Sequence, residues 1–168
     1  MAGSVCPCCR PSIAFRDDRT VHAWRAVLRD EVRDIVVATS PDGGNTWGAA
    51  VRLAEDNWRI TGCPHSGASL AVLGKRLFAS WYTVREKKAA IYLAHSDDAG
   101  GSFSARQPLS GETVDPNHPY PTLALEEPGR VFVAWTETSK DGPRVLLSRG
   151  RAVSRSAAVR NPRGGDAQ

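Results

Sequence analysis

All four cysteines of this 168-residue chain lie in two short stretches, Cys6-Pro7-Cys8-Cys9 and Cys63-Pro64-His65. Thiolates with one imidazole suit Zn²⁺ or Cu(I). Close thiols can also act as a redox pair. Two of them can instead close a structural disulfide, such as Cys8 or Cys9 with Cys63, or all can stay inert in a core. The spacing is not that of a zinc finger, so all these alternatives stand. Read as a metal site, the ligand set is Cys6, Cys8, Cys9, Cys63 and His65, with zinc or copper as the ion.

Other groups that could hold a ligand lie near these stretches. Asp56-Asn57-Trp58-Arg59 runs just ahead of Cys63, and Asp115-Pro116-Asn117-His118-Pro119-Tyr120 takes the same place further on. Arg59 could pair with a carboxylate, Trp58 could stack on a sugar ring, and His118 could join a metal. Binding residues often sit on loops carried by a rigid scaffold. For each residue a purely structural role in its loop is an equal alternative. The expected partner is a glycan or another small molecule. His22 and His95 fall in predicted strands and read as ordinary strand residues.

The elements that must position these groups are visible as a repeat. Ser40-Pro41-Asp42-Gly43-Gly44-Asn45-Thr46-Trp47 and Ser96-Asp97-Asp98-Ala99-Gly100-Gly101-Ser102-Phe103 share the pattern S-x-D-x-G-x-[S/T]-[W/F], 56 residues apart. Each follows a run of β-formers, at 34–39 and 90–95, and precedes another short extended stretch. The pattern therefore sits at a hairpin tip. Ser and Asp side chains can accept turn N–H groups, and Gly supplies positive φ. Trp47 and Phe103 can fold back onto the sheet as apolar plugs. Turn-building accounts for every fixed position: Ser40, Asp42, Gly44, Thr46 and Trp47, then Ser96, Asp98, Gly100, Ser102 and Phe103.

The repeat extends further. Segments 11–15, 68–72 and 121–125 align, as do 21–25, 77–81 and 131–135 to within a residue, and Trp24, Trp81 and Trp135 recur at spacings of 57 and 54. Helix-period stripes are absent. A period of this size suggests stacked supersecondary units such as propeller blades. The expected fold is all-β: about three four-stranded antiparallel blades near 8–54, 63–110 and 118–148, the last incomplete. No S-x-D-x-G turn follows Ser148, and residues 149–168 form an Arg/Gly-rich tail expected to be disordered. Aligning Ser12 with Ser69 sets Cys6 opposite Cys63, each leading into the first strand of a blade. In a propeller such segments lie near the central axis.

The turn pattern resembles the Asp-box, or BNR, repeat of sialidases and related β-propellers. In that family the box joins the third and fourth strands of a blade, on the rim away from the active site. The Cys-x-Cys-Cys and Gly-Cys-Pro pairing is similar to a subgroup of bacterial sialidase-like proteins, over residues 5–135. The resemblance implies an exo-α-sialidase type of glycosidase when the propeller is whole. Such enzymes hold the substrate carboxylate with three arginines and use a Tyr nucleophile, a Glu that polarises it and an Asp acid/base. The family's first arginine lies in an Arg-x-Pro motif. Here Arg10 is followed directly by Pro11, which leaves Arg10 as a catalytic candidate out of register. Asp17 or Asp18 could stand as the acid, and no Tyr/Glu pair can be assigned. The expectation is a module noncatalytic on its own. The alternatives are a sialidase-type hydrolase fragment and a disulfide-stapled interaction scaffold.

Length and charge narrow the classes. The chain is long enough for one cored domain but short of a closed propeller of roughly four to eight blades. It therefore reads as a partial propeller: a gene fragment, a truncated homologue or one half of an assembly, with self-association as one way to complete the ring. The net charge of +4 arises in residues 149–168, which hold five Arg and one Asp; the remainder carries 17 basic and 17 acidic residues. A neutral body argues against a nucleic-acid surface. There is neither a transmembrane run nor a signal-peptide core at Met1. The family resemblance implies a periplasmic or secreted protein, so localisation stays open.

Overall fold

The computed structural model describes residues 4–110, 120–127 and 129–151. It contains three antiparallel sheets. The first holds β1 (Ser4–Val5), β2 (Ser12–Arg16), β3 (Arg19–Val27), β4 (Ile35–Ser40) and β5 (Val51–Arg52). The second holds β6 (Ala68–Leu73), β7 (Arg76–Arg85), β8 (Lys88–Ser96) and β9 (Gln107–Pro108). The third holds β10 (Thr122–Glu126), β11 (Arg130–Ser139) and β12 (Gly142–Arg151). A 3₁₀ turn at Arg29–Glu31 is the single helical element among the described residues.

The registers repeat from sheet to sheet. Trp24 faces Val36, Trp81 faces Tyr92, and Trp135 faces Leu146. The first strands β2, β6 and β10 lie side by side, β6 touching both neighbours. Arg16 and Glu127 form an ion pair that links the hairpin tips of the first and third sheets. The protein is a partial β-propeller of three blades.

Two apolar layers join the blades. Val21, Ala23, Ile35 and Val37 of blade one meet Leu77, Ala79 and Trp81 of blade two. Phe78, Tyr82 and Ile91 of blade two meet Leu123, Val131, Val133 and Trp135 of blade three. Period-2 alternation makes this possible, because successive side chains of β7 point to opposite neighbours. Residues 77–83 are all buried, since β7 is covered on both faces. Each fully buried Leu, Ile or Phe side chain contributes about 1.5–3 kcal/mol.

Blade three differs from the expected boundaries. Arg149, Gly150 and Arg151 pair with Phe132, Val131 and Arg130, so β12 continues three residues past Ser148. The rest of the expected tail, residues 152–168, lies outside the described residues, as does His118. Among the described residues no helix is long and apolar enough to cross a membrane.

Candidate functional site

The two lead-in segments of blades one and two meet, and with them the cysteines. Cys6 follows β1, and its N–H donates to the carbonyl of Arg25 at 2.9 Å. A turn then bonds Cys9 N–H back to the Cys6 carbonyl. Gly67 allows the second segment to come this close, because a Cβ there would lie 2.0 Å from the Arg10 carbonyl oxygen.

The four sulfur atoms lie within 4.8 Å of one another. Cys6 Sγ is 3.2 Å from Cys9 Sγ, 3.2 Å from Cys63 Sγ and 3.8 Å from Cys8 Sγ. Cys9 and Cys63 are 4.0 Å apart. Cys8 and Cys63 are joined as a disulfide with their Cα atoms 6.5 Å apart, while Cys6 and Cys9 are buried free thiols. Burial pushes the Cys9 thiol up to about 11; the Cys6 sulfur adds to the push, and the Arg25 guanidinium opposes it. His65 is exposed, with φ 53°, and stands outside this set of sulfur donors.

Two arginines not singled out in the sequence frame the cluster. Arg33 donates through Nη1 to Cys6 Sγ at 3.4 Å. Arg25 is fully buried and donates to the carbonyls of Ser66 at 2.8 Å, Arg33 at 2.7 Å and Tyr82 at 2.7 Å. It thus ties blade one, the lead-in to blade two and β7 together. The clue was available: Arg25 shares the period-2 face of Val21 and Ala23, and a buried guanidinium demands several acceptors. The loop ahead of Cys63 is held in the same way. Buried Asp34 accepts from the N–H groups of Asn57 and Trp58 and pairs with Arg52. Buried Asp56 accepts from Trp81 Nε1 at 2.8 Å and pairs with Arg106 at 3.2 Å.

A cavity of about 290 Å³ opens beside the sulfurs, lined by Trp58, Ile60, Cys63, His65, Tyr82 and Tyr120. Trp58 meets Tyr82 edge-on with ring centres 5.5 Å apart, and the Arg25 guanidinium lies 5.1 Å from the Trp58 ring centre. Two expected ligand residues, Trp58 and His65, therefore share one cavity with Cys63. Arg59 does not line it; it is exposed and lies 3.7 Å from Asp30. Arg10 is exposed and lines a second cavity, of about 310 Å³, where the lead-ins to β2, β6 and β10 converge.

The S-x-D-x-G turns each lie between the third and fourth strands of their blade. Ser40 Oγ donates to Asp42 Oδ1 and accepts from Gly44 N–H at 2.8 Å. Asp42 accepts from the N–H and hydroxyl of Thr46 at 2.8 and 2.6 Å. Ser96, Asp98, Gly100 and Ser102 repeat these bonds at 2.6–2.9 Å. Phe103 packs against the layer between blades one and two, whereas Trp47 is exposed and donates to the Gly44 carbonyl.

No protein-family model matches the sequence, and no curated protein matches it. Solved structures do share its fold. A Hadza microbial sialidase, Hz136, is 18% identical with a TM-score of 0.58, over 90% of this chain and 37% of its own. An α-L-arabinanase of Penicillium chrysogenum is 16% identical with a TM-score of 0.53, over 91% of this chain and 50% of its own. A GH93 α-L-arabinofuranosidase of Fusarium graminearum is 16% identical with a TM-score of 0.52, over 83% of this chain and 44% of its own. The chain thus spans between about a third and a half of these propeller glycoside hydrolases, and the likeness is one of fold.

Proposed function

We propose that this chain is an Asp-box module of the sialidase-like propeller class, noncatalytic on its own, whose axial cysteine cluster binds a thiophilic metal ion when reduced. The observation that carries the reading is the convergence of four sulfurs within 4.8 Å from segments 54 or more residues apart. A tetrahedral zinc–thiolate centre with bonds of about 2.3 Å has sulfur–sulfur edges of about 3.8 Å, and the separations around Cys6 range from 3.2 to 3.8 Å. Four thiolates with Zn²⁺ carry a net charge of −2, and the guanidinium groups of Arg25 and Arg33 supply the balancing charge. Cu(I) is the other thiophilic candidate.

In the oxidised form the Cys8–Cys63 bond removes two of the four donors. Its reduction takes up two electrons and two protons from a thiol donor and restores all four. Metal binding must then displace the thiol protons, which burial favours keeping on Cys9. The adjacent aromatic cavity is the place for a glycan or another small ligand, with Trp58 as its stacking face. A noncatalytic role is supported by the arginines: Arg25 is engaged with three carbonyls, and Arg10 lies in the other cavity.

Elemental analysis and thiol counting on one anaerobically reduced sample test this. The expected result is about one metal per chain, with thiols protected until a chelator is added, and loss of the metal in Cys63→Ser. A metal-free reduced protein whose thiols react equally with and without chelator would sink the reading. A fluorogenic sialoside added to the same sample should release no fluorophore. Release that disappears in Arg10→Ala would establish the hydrolase alternative instead.

A further inference from the structure

The four sulfurs are not equivalent. Cys6 and Cys9 are free thiols, 1% and 4% exposed, whereas Cys8 and Cys63 are half-buried and carry the disulfide. An inner pair of thiols therefore stands behind an outer bonded pair. Cys6 is the sulfur that links the two pairs, at 3.2 Å from Cys63, 3.2 Å from Cys9 and 3.8 Å from Cys8. A free thiol thus touches one sulfur of the disulfide, and the second free thiol lies equally near the first. Thiol–disulfide exchange needs this arrangement: a thiolate attacks one sulfur of the bond and expels the other.

The surroundings give the exchange a direction. Cys63 is the nearer of the two bonded sulfurs, so it is the one attacked, and Cys8 is the one that leaves. Cys8 is only half-buried, so the leaving sulfur has access to water. Arg33 donates through Nη1 to Cys6 Sγ at 3.4 Å, which sets a cation against the attacking sulfur. Cys9 follows Cys6 at the Cys-x-x-Cys separation of redox dithiols. The turn bond from Cys9 N–H to the Cys6 carbonyl holds that pair together.

We infer that the oxidised cluster is an internal thiol–disulfide relay, in which Cys6 passes the bond from the outer pair to the inner pair. In the first step the Cys6 thiolate attacks Cys63 Sγ. The Cys6–Cys63 bond forms, the Cys8–Cys63 bond breaks, and Cys8 leaves with the electron pair and takes up a proton. In the second step the Cys9 thiolate attacks Cys6 Sγ. The Cys6–Cys9 bond forms, and Cys63 leaves and takes up a proton. Cys6 and Cys9 release two protons and Cys8 and Cys63 gain two, so no outside oxidant or reductant is consumed. The product carries a free Cys63 thiol in the wall of the aromatic cavity, with Trp58, His65 and Tyr82. The ligand class this opens to the cavity is a small thiol-reactive molecule, such as a low-molecular-weight disulfide. The relay belongs to the oxidised form and does not rest on metal binding by the reduced one.

Alkylation mapping tests it, on the full chain oxidised to one disulfide and held with a chelator. A fixed Cys8–Cys63 bond leaves only Cys6 and Cys9 to take the label. The relay instead puts label on Cys8 and Cys63 and leaves Cys6 bonded to Cys9. Tandem mass spectrometry separates the two, because Cys6, Cys8 and Cys9 share one tryptic peptide and Cys63 lies in another. Cys6→Ser should suppress the labelling of Cys8, since the remaining thiol, Cys9, lies 4.0 Å from Cys63. Cys9→Ser should stop the relay halfway, with label on Cys8 and Cys63 bonded to Cys6. The labelling rate of the wild type should not change with protein concentration. Circular dichroism checks each variant for folding; if Cys6→Ser does not fold, Cys9→Ser carries the test. Label confined to Cys6 and Cys9 in the wild type, or labelling of Cys8 undiminished in Cys6→Ser, would overturn the inference. Metal content of the reduced protein is read separately, and neither result there alters this one.

Discussion

The two turn aspartates show how single side chains stabilise a hairpin without any catalytic part. Thr46 donates twice to Asp42 and Ser40 once, which holds that carboxyl at about 2, below its ordinary 3.8. Ser102 and Ser96 lower Asp98 still further. A carboxyl with a depressed folded value favours the folded state above its unfolded value and loses that contribution as pH falls through the folded one. Stability should therefore drop between about pH 4 and pH 2. Urea midpoints measured across that window test this, and Asp98→Asn should flatten part of the slope. An unchanged slope in that variant would show that the turn bonds do not govern acid sensitivity. The bonds stay within each turn, which is why residue order alone made them readable.

At the scale of elements, the candidate site depends on two lead-in segments lying back to back. Gly67 is the contact point, with the Arg10 carbonyl where a side chain would begin. Gly67→Ala must separate the segments, and overpacking of this kind costs about 1–3 kcal/mol. The same shift moves Cys63 away from Cys6 and Cys8. The variant should thus show a lower urea midpoint together with weaker metal retention in the reduced state. A loss of stability with full metal retention would mean that the cluster tolerates a wider gap. Gly100 has a comparable restriction, combining φ +95° with the Thr39 methyl 2.7 Å from a would-be Cβ. There the glycine seats the turn of blade two against β4 of blade one, so a local turn also sets a seam.

For the whole molecule, the consequence of the arc is that its ends differ in environment from its middle. Strand β7 lies between two blades and is buried on both faces, while the outer strand β12 of blade three exposes Val145 and Leu147.

The number of blades, the strand order and the turns were legible in the sequence, because a β-blade is encoded by local alternation, by Gly and Asp at fixed turn positions and by tryptophans at a recurring interval. The alignment also showed that Cys6 and Cys63 hold equivalent places in two lead-in segments, but not that Cys63 would join Cys8. The tertiary structure decided what alignment cannot carry. It gathered all four sulfurs without His65, which lines the neighbouring cavity instead. It placed Trp58 in the cavity beside Cys63 and left Arg59 near Asp30. It also made Arg25, which looked like one more strand residue, the link between two blades. Contacts across a seam join residues well separated in the chain, and their geometry depends on how whole sheets pack rather than on any local rule.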